Sequence, residues 1–187
     1  MHLNPLPLPS ADTPLRVVLD TNVVMAFWHF SDPKLLSLLA WLESRQVVML
    51  TRQNCLHELQ RVLGYVQFRI EPEEQARILN AYVARAECLP DASEEQLLAA
   101  QSLPKCRDKD DQKFIELAWD GGAHLLLTRD KILLGMARRM PLRERTNIVS
   151  PERLIKMIGG EEMLPHRCLP EGTATRKVRD RALQKGG

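Results

Sequence analysis

The chain has 187 residues, with 26 lysines and arginines against 24 aspartates and glutamates, and 44% apolar residues. That length suits one domain with tails, and the apolar share is enough for a packed core, which excludes wholesale disorder. No uncharged apolar run reaches the ~18 residues a membrane span needs, and a net charge of +2 leaves any nucleic-acid role to local sites. The opening, from Met1 to Pro9, has no basic segment followed by an apolar block. It does not read as a secretory signal, and the cytoplasm is the expected compartment. Cys55, Cys88, Cys106 and Cys168 are widely spaced with no C-x-x-C pair, so they read as reduced thiols rather than zinc or redox sites.

In chain order, Pro5, Pro7, Pro9 and Pro14 make residues 1–14 an extended arm. Leu15-Arg16-Val17-Val18-Leu19 reads as a buried strand. Helices are expected over Val23–Phe30 and from Pro33 to about Arg45, followed by a strand at Val47–Leu50. An amphipathic helix spans Thr51–Gly64, and another runs from Pro72 to about Arg85. A short strand near Cys88-Leu89 precedes a weaker helix over Ser93–Leu103. Asp108 is the expected start of a helix that stops at Gly121-Gly122. Strand His124–Thr128, helix Ile132–Arg139, strand Asn147–Val149 and a Ser150-capped helix to about Ile158 complete the pattern. Strands alternating with helices predict an α/β fold with a central parallel sheet covered on both faces. After Gly159-Gly160 the periodicity stops, so the domain is expected over 15–160 and a basic, largely irregular tail over 161–187.

Four carboxylates stand out by position. Asp20 directly follows the first strand and Asp130 follows the strand ending at Thr128, which places both at the carboxyl rim of a parallel sheet. Asp111 lies on the apolar stripe of Phe114, Ile115, Leu117 and Ala118, and Glu58 lies at the edge of the apolar face of its helix. No lysine or arginine is expected on the same inward stripes. Crowded acids repel, and a divalent cation such as magnesium or manganese is the natural compensation. Structural readings stand beside this one. Asp20 caps a helix, Asp108 is an N-cap with Asp111 near the helix dipole, Glu58 is half-exposed, and Asp130 opens the next helix.

These residues resemble the PIN-domain family. The matching segments are Arg16–Val24 around L-D-T-N, Glu58–Leu63, Asp108–Ala118 and Leu127–Lys131, and the resemblance covers about residues 15–158. The subgroup it is most similar to comprises the toxin components of bacterial toxin–antitoxin pairs, the VapC-like ribonucleases. The resemblance implies a three-layer α/β/α sandwich and metal-dependent hydrolysis of RNA phosphodiesters. It implies Asp20, Glu58, Asp111 and Asp130 as the catalytic metal-site acids for Mg2+ or Mn2+, with Asn22 and Thr128 as polar supports. An antitoxin protein is the implied partner, and a homodimer is left open. Lys109 and Gln112 depart from the subgroup's D-P-D-D-N-K pattern, and Arg129 stands where glycine is frequent.

Arg52, Lys109 and Arg129, together with Arg107, Lys113 and Lys131, flank the acidic motifs and are candidate phosphate contacts. A dehalogenase-like phosphatase is a poor rival, because Asn22 replaces the second aspartate of its D-x-D pattern and cannot exchange a proton. The stronger alternative is a catalytically weak PIN-like module that binds RNA or protein. Such modules tend to lose the acid set, which is complete here.

Overall fold

The computed structural model describes residues 8–10, 12–44 and 46–158. The expected basic tail and most of the proline-rich arm therefore lie outside the described residues.

Among the described residues five parallel strands form one sheet in the order β3-β2-β1-β4-β5. They are β1 (Leu15–Leu19), β2 (Val47–Arg52), β3 (Ala86–Leu89), β4 (Leu125–Leu127) and β5 (Asn147–Val149). The helices are α1 (Thr21–Trp28), α2 (Leu36–Ser44), α3 (Gln53–Leu63), α4 (Pro72–Val83), α5 (Glu94–Ala100), α6 (Gln112–Asp120), α7 (Lys131–Met136) and α8 (Pro151–Met157).

The period-2 geometry of the strands divides the core in two. Val17, Leu19, Leu125 and Leu127 face one way, onto α1 to α4 and α8 through residues such as Val23, Leu38, Leu59, Ile78 and Leu154. Val18, Leu50, Leu126 and Ile148 face the other way, onto α5 to α7 through Ala100, Phe114, Ile115 and Leu133. Both faces of β1, β4 and β5 are covered, which is why these strands read as nearly continuous apolar runs, while the edge strand β3 is partly exposed. This is the expected three-layer α/β/α sandwich.

Several element ends differ from the sequence expectation, each for a local reason. α1 starts at Thr21 rather than Val23, because Asp20 is extended and already occupies the N-cap position. β2 continues through Thr51 and Arg52, whose pairing with Cys88 and Leu89 extends the ladder and delays α3 to Gln53. The helix expected from Asp108 begins only at Gln112. Asp108 accepts a bond from the Asp110 amide through its Oδ1, closing a turn instead of capping a helix. That helix stops as expected, with Gly122 at φ +58°. A Cβ on Gly121 would lie 2.5 Å from Leu50 Cδ1, so α6 approaches the sheet closely only because this residue is glycine.

The strand order reverses beside β1. The chain moves outward from β1 to β2 and β3, then returns to lay β4 on the other side of β1. In parallel sheets the carboxyl ends of the two strands flanking such a reversal diverge and leave a crevice. Asp20 leaves β1 there, and Thr128 leaves β4, with Leu19 and Leu127 in register.

Candidate active site

Asp20 is buried at the end of β1, its amide bonded to the Leu127 carbonyl at 3.0 Å. Its Oδ2 accepts hydrogen bonds from the Thr128 hydroxyl at 2.6 Å and from the Asn22 side-chain amide. Thr128 Oγ1 accepts in turn from the Asp130 amide, and Asn22 Oδ1 accepts from the Arg129 amide. Asn22 and Thr128 thus tie the β1 and β4 ends together through one carboxylate. Burial pushes the Asp20 carboxyl up to about 6, against the lowering effect of Thr128 and Asn22, and the charges of Glu58 and Asp130 push the same way as burial.

Asp111 holds the N-cap position of α6 without making a side-chain cap, and it is half-buried. Partial burial raises its carboxyl to about 7, with further upward pushes from Asp20, Asp108, Asp130 and Glu58. Those neighbours bring Asp111 to the rim that carries Asp20 and Asp130. Asp130 caps α7, its Oδ1 accepting from the amides of Ile132 and Leu133 at 2.6 and 3.0 Å. Its Oδ1 therefore has a structural task, in line with the capping alternative.

Glu58 corrects one expectation. Its carboxylate is ion-paired with Lys113, which reaches across from α6 to α3, so a lysine does neutralise part of the inward acid set. The helical wheel hides this because the two residues come from different helices.

Two of the candidate phosphate contacts are also corrected. Arg52 is buried and bonds Asp120 Oδ2 at 3.0 Å, with the two side chains only 6% and 3% exposed. It is an interior strut that anchors the end of α6 to β2. Arg129 bridges Asp32 and Glu152, both at 2.7 Å, so its charge is already matched by two carboxylates. Nothing in the sequence singles out Asp32, Asp120 or Glu152, because their partners lie between 23 and 97 residues away. Arg107, Lys109 and Lys131 are exposed.

Among the described residues no three histidine, cysteine, aspartate or glutamate side chains are gathered closely enough to hold a metal as they stand. The donor set nonetheless suits a hard divalent cation. It is all carboxylate oxygen, and Asp20 and Asp111 are raised first by burial and then by neighbouring carboxylates, with no cation among the causes. Cys55, Cys88 and Cys106 are free thiols, and Cys168 lies outside the described residues. No described helix is long and apolar enough to cross a membrane.

The fold is similar to a crystal structure of VapBC2 from Rickettsia felis bound to a DNA fragment from their promoter. The TM-score is 0.55 at 15% identity, over 73% of this chain and 98% of that one. A structure of PAE2754 from Pyrobaculum aerophilum aligns at 17% identity and a TM-score of 0.49, over 79% of this chain and 91% of that one. No curated protein matches the sequence. A family model described as PIN domain matches residues 16–132, which is most of the sandwich and includes all four acids. The chain belongs to the PIN-domain family.

Proposed function

We propose that this chain is a metal-dependent endoribonuclease that hydrolyses RNA phosphodiester bonds, acting as the toxin of a toxin–antitoxin pair. The observation that supports the reading is the crevice beside the β1 and β4 ends, near which the charges of Asp20, Asp111 and Asp130 act on one another and, among the described residues, none of the three is ion-paired with a cationic side chain. Asp20, Asp111 and Asp130 would hold Mg2+ or Mn2+, while Glu58 is engaged by Lys113. The bound ion supplies Lewis-acid stabilisation of the phosphoryl charge and eases deprotonation of water.

The protein's own part is to hold and aim these oxygens. Thr128 and Asn22 fix the Asp20 carboxylate through two bonds to its Oδ2, and hydrogen bonding from these residues favours its charged form despite burial. The α7 cap fixes Asp130 by Oδ1. Asp111 makes no cap and so keeps its carboxylate uncommitted to its own helix. Lys109, exposed on the loop before α6, is the basic residue best placed along the chain to meet a phosphate beside Asp111.

The toxin role is supported by the fold shared with VapBC2, which is an argument by analogy of fold. The test incubates purified chain with single-stranded RNA in Mg2+, in Mn2+ and in EDTA, alongside Asp111→Asn. Cleavage that needs metal and disappears in the variant supports the nuclease reading. RNA retained but left intact under every metal condition would make the chain a binding module instead. Growth arrest on expression, relieved by the product of a neighbouring small reading frame, tests the toxin role separately.

A further inference from the structure

Lys113 lies in the first turn of α6, two residues beyond Asp111, and its ammonium is ion-paired with Glu58 on α3. Both side chains are sheltered, at 16% and 12% exposure. The same ammonium donates to the Asp110 carbonyl and stands 5.2 Å from the Phe114 ring centroid. It is held from three sides, unlike a solvated surface lysine. The pair forms part of the wall of an open cleft of about 250 Å3, which Asn54, His57 and Arg61 also line.

With all of them ionised, as metal binding requires of its ligands, four carboxylates and one ammonium carry three net negative charges. One divalent ion leaves a single negative charge, while two would either leave a net positive site in a partly buried crevice or have to displace the ammonium from Glu58. Among the described residues, no other lysine or arginine is ion-paired with any of the four acids.

We infer that Lys113 takes the place of a second metal cation, holding Glu58 by ion pairing, so that the site binds one divalent ion through Asp20, Asp111 and Asp130. Lys113 is on this view a positioning residue for Glu58 and a determinant of metal stoichiometry. The inference rests on the metal-site reading above.

The experiment titrates the full chain with Mn2+ alone, following heat release and the electron paramagnetic resonance signal of free Mn2+. The wild type should take up one ion. The charge-neutral double variant Glu58→Gln/Lys113→Met should keep one ion with affinity within about threefold, because the pair leaves as a unit. Asp111→Asn should lose about tenfold or more. Lys113→Met alone, which keeps the apolar stem, should release Glu58 and either bind a second ion or bind the first about tenfold more tightly. Lys113→Arg, which keeps the charge, should behave as wild type, and thermal melts of each variant establish that it is folded.

Two ions bound by the wild type would overturn the inference, as would a double variant that loses as much affinity as Asp111→Asn. Unchanged binding by a folded Lys113→Met would do the same. Each of those results leaves the metal reading standing. A wild type that binds no Mn2+ removes the metal reading and the inference with it. If Lys113→Met does not fold, the double variant decides.

Discussion

The Asp20 carboxylate should destabilise the metal-free protein, and Asp20→Asn should reveal it. Asp20 rises from an ordinary 3.8 to about 6, because burial and neighbouring acids disfavour its charge. A rise of roughly two units corresponds to about 3 kcal/mol, and since the side chain is buried, solvent screening discounts little of it. Between pH 3.8 and about 6 the native state binds more protons here than the unfolded chain does, so this contribution weakens the fold as pH rises and is fully felt above pH 6. Asp111 acts in the same direction up to about pH 7, with a smaller effect because it is half exposed. The amide oxygen that the substitution introduces can still accept from Thr128 and Asn22, so the change removes charge while keeping the bonds. Thermal melts in EDTA should then show Asp20→Asn above wild type by about 5–10 °C at pH 8, with the gap narrowing as pH falls below about 6 and closing only below the unfolded value of 3.8, where the carboxyl is protonated in both states. Adding Mg2+ or Mn2+ at pH 8 should raise the wild-type midpoint and leave the variant's nearly unchanged. A variant that melts at or below wild type at pH 8 in EDTA, or a gap that does not change with pH, would refute the electrostatic reasoning.

Thr128→Val should push the Asp20 carboxyl still higher and leave the Asp130 amide unpaired, costing about 1–3 kcal/mol; a carbon-detected NMR titration reads the first effect and urea unfolding the second. Asp120→Asn should cost about 3–5 kcal/mol by stranding the buried Arg52 guanidinium, and the paired change Arg52→Met/Asp120→Leu should recover most of it in the same unfolding assay. Lys109→Ala should leave stability within about 0.5 kcal/mol, as for other exposed positions. In the same variant RNA binding should weaken, and the salt dependence of affinity should flatten by about one counterion, measured by fluorescence anisotropy across salt concentrations.

The layers of this fold are legible because each strand is a short apolar run bounded by polar or turn residues, and each helix carries its own apolar stripe. Val17 and Val18 point to opposite cores by the pleat alone. Asp20 and Asp130 are legible as rim residues for the same reason, since the strands before them fix where the chain emerges. The start of α6 is not. The run Asp108-Lys109-Asp110-Asp111 offers several residues able to cap, and a local turn in which Asp108 bonds the Asp110 amide decides among them. Ion pairs between distant segments leave no periodic trace either. Arg52 looks like a rim cation only because its partner, Asp120, reads in sequence as nothing more than the end of a helix.

Folding sorts the charges that the sequence lists together. Glu58 receives Lys113, Asp120 receives Arg52, and Asp32 and Glu152 share Arg129. Among the described residues Asp20, Asp111 and Asp130 receive no such partner, although the chain has more cations than acids and Lys109, Lys113, Arg129 and Lys131 lie within two residues of Asp111 or Asp130. Among the described residues their compensation is hydrogen bonding, from Thr128 and Asn22 to Asp20 and from the α7 amides to Asp130. Hydrogen bonds orient a carboxylate without cancelling its charge, and Asp20 and Asp111 stay raised well above the usual carboxylate range. A structural role for these acids needs only the bonds. It does not account for three mutually repelling acids near the point where the strand order reverses while Lys113 and Arg129 pair with other carboxylates, whereas a site that holds a cation calls for both features.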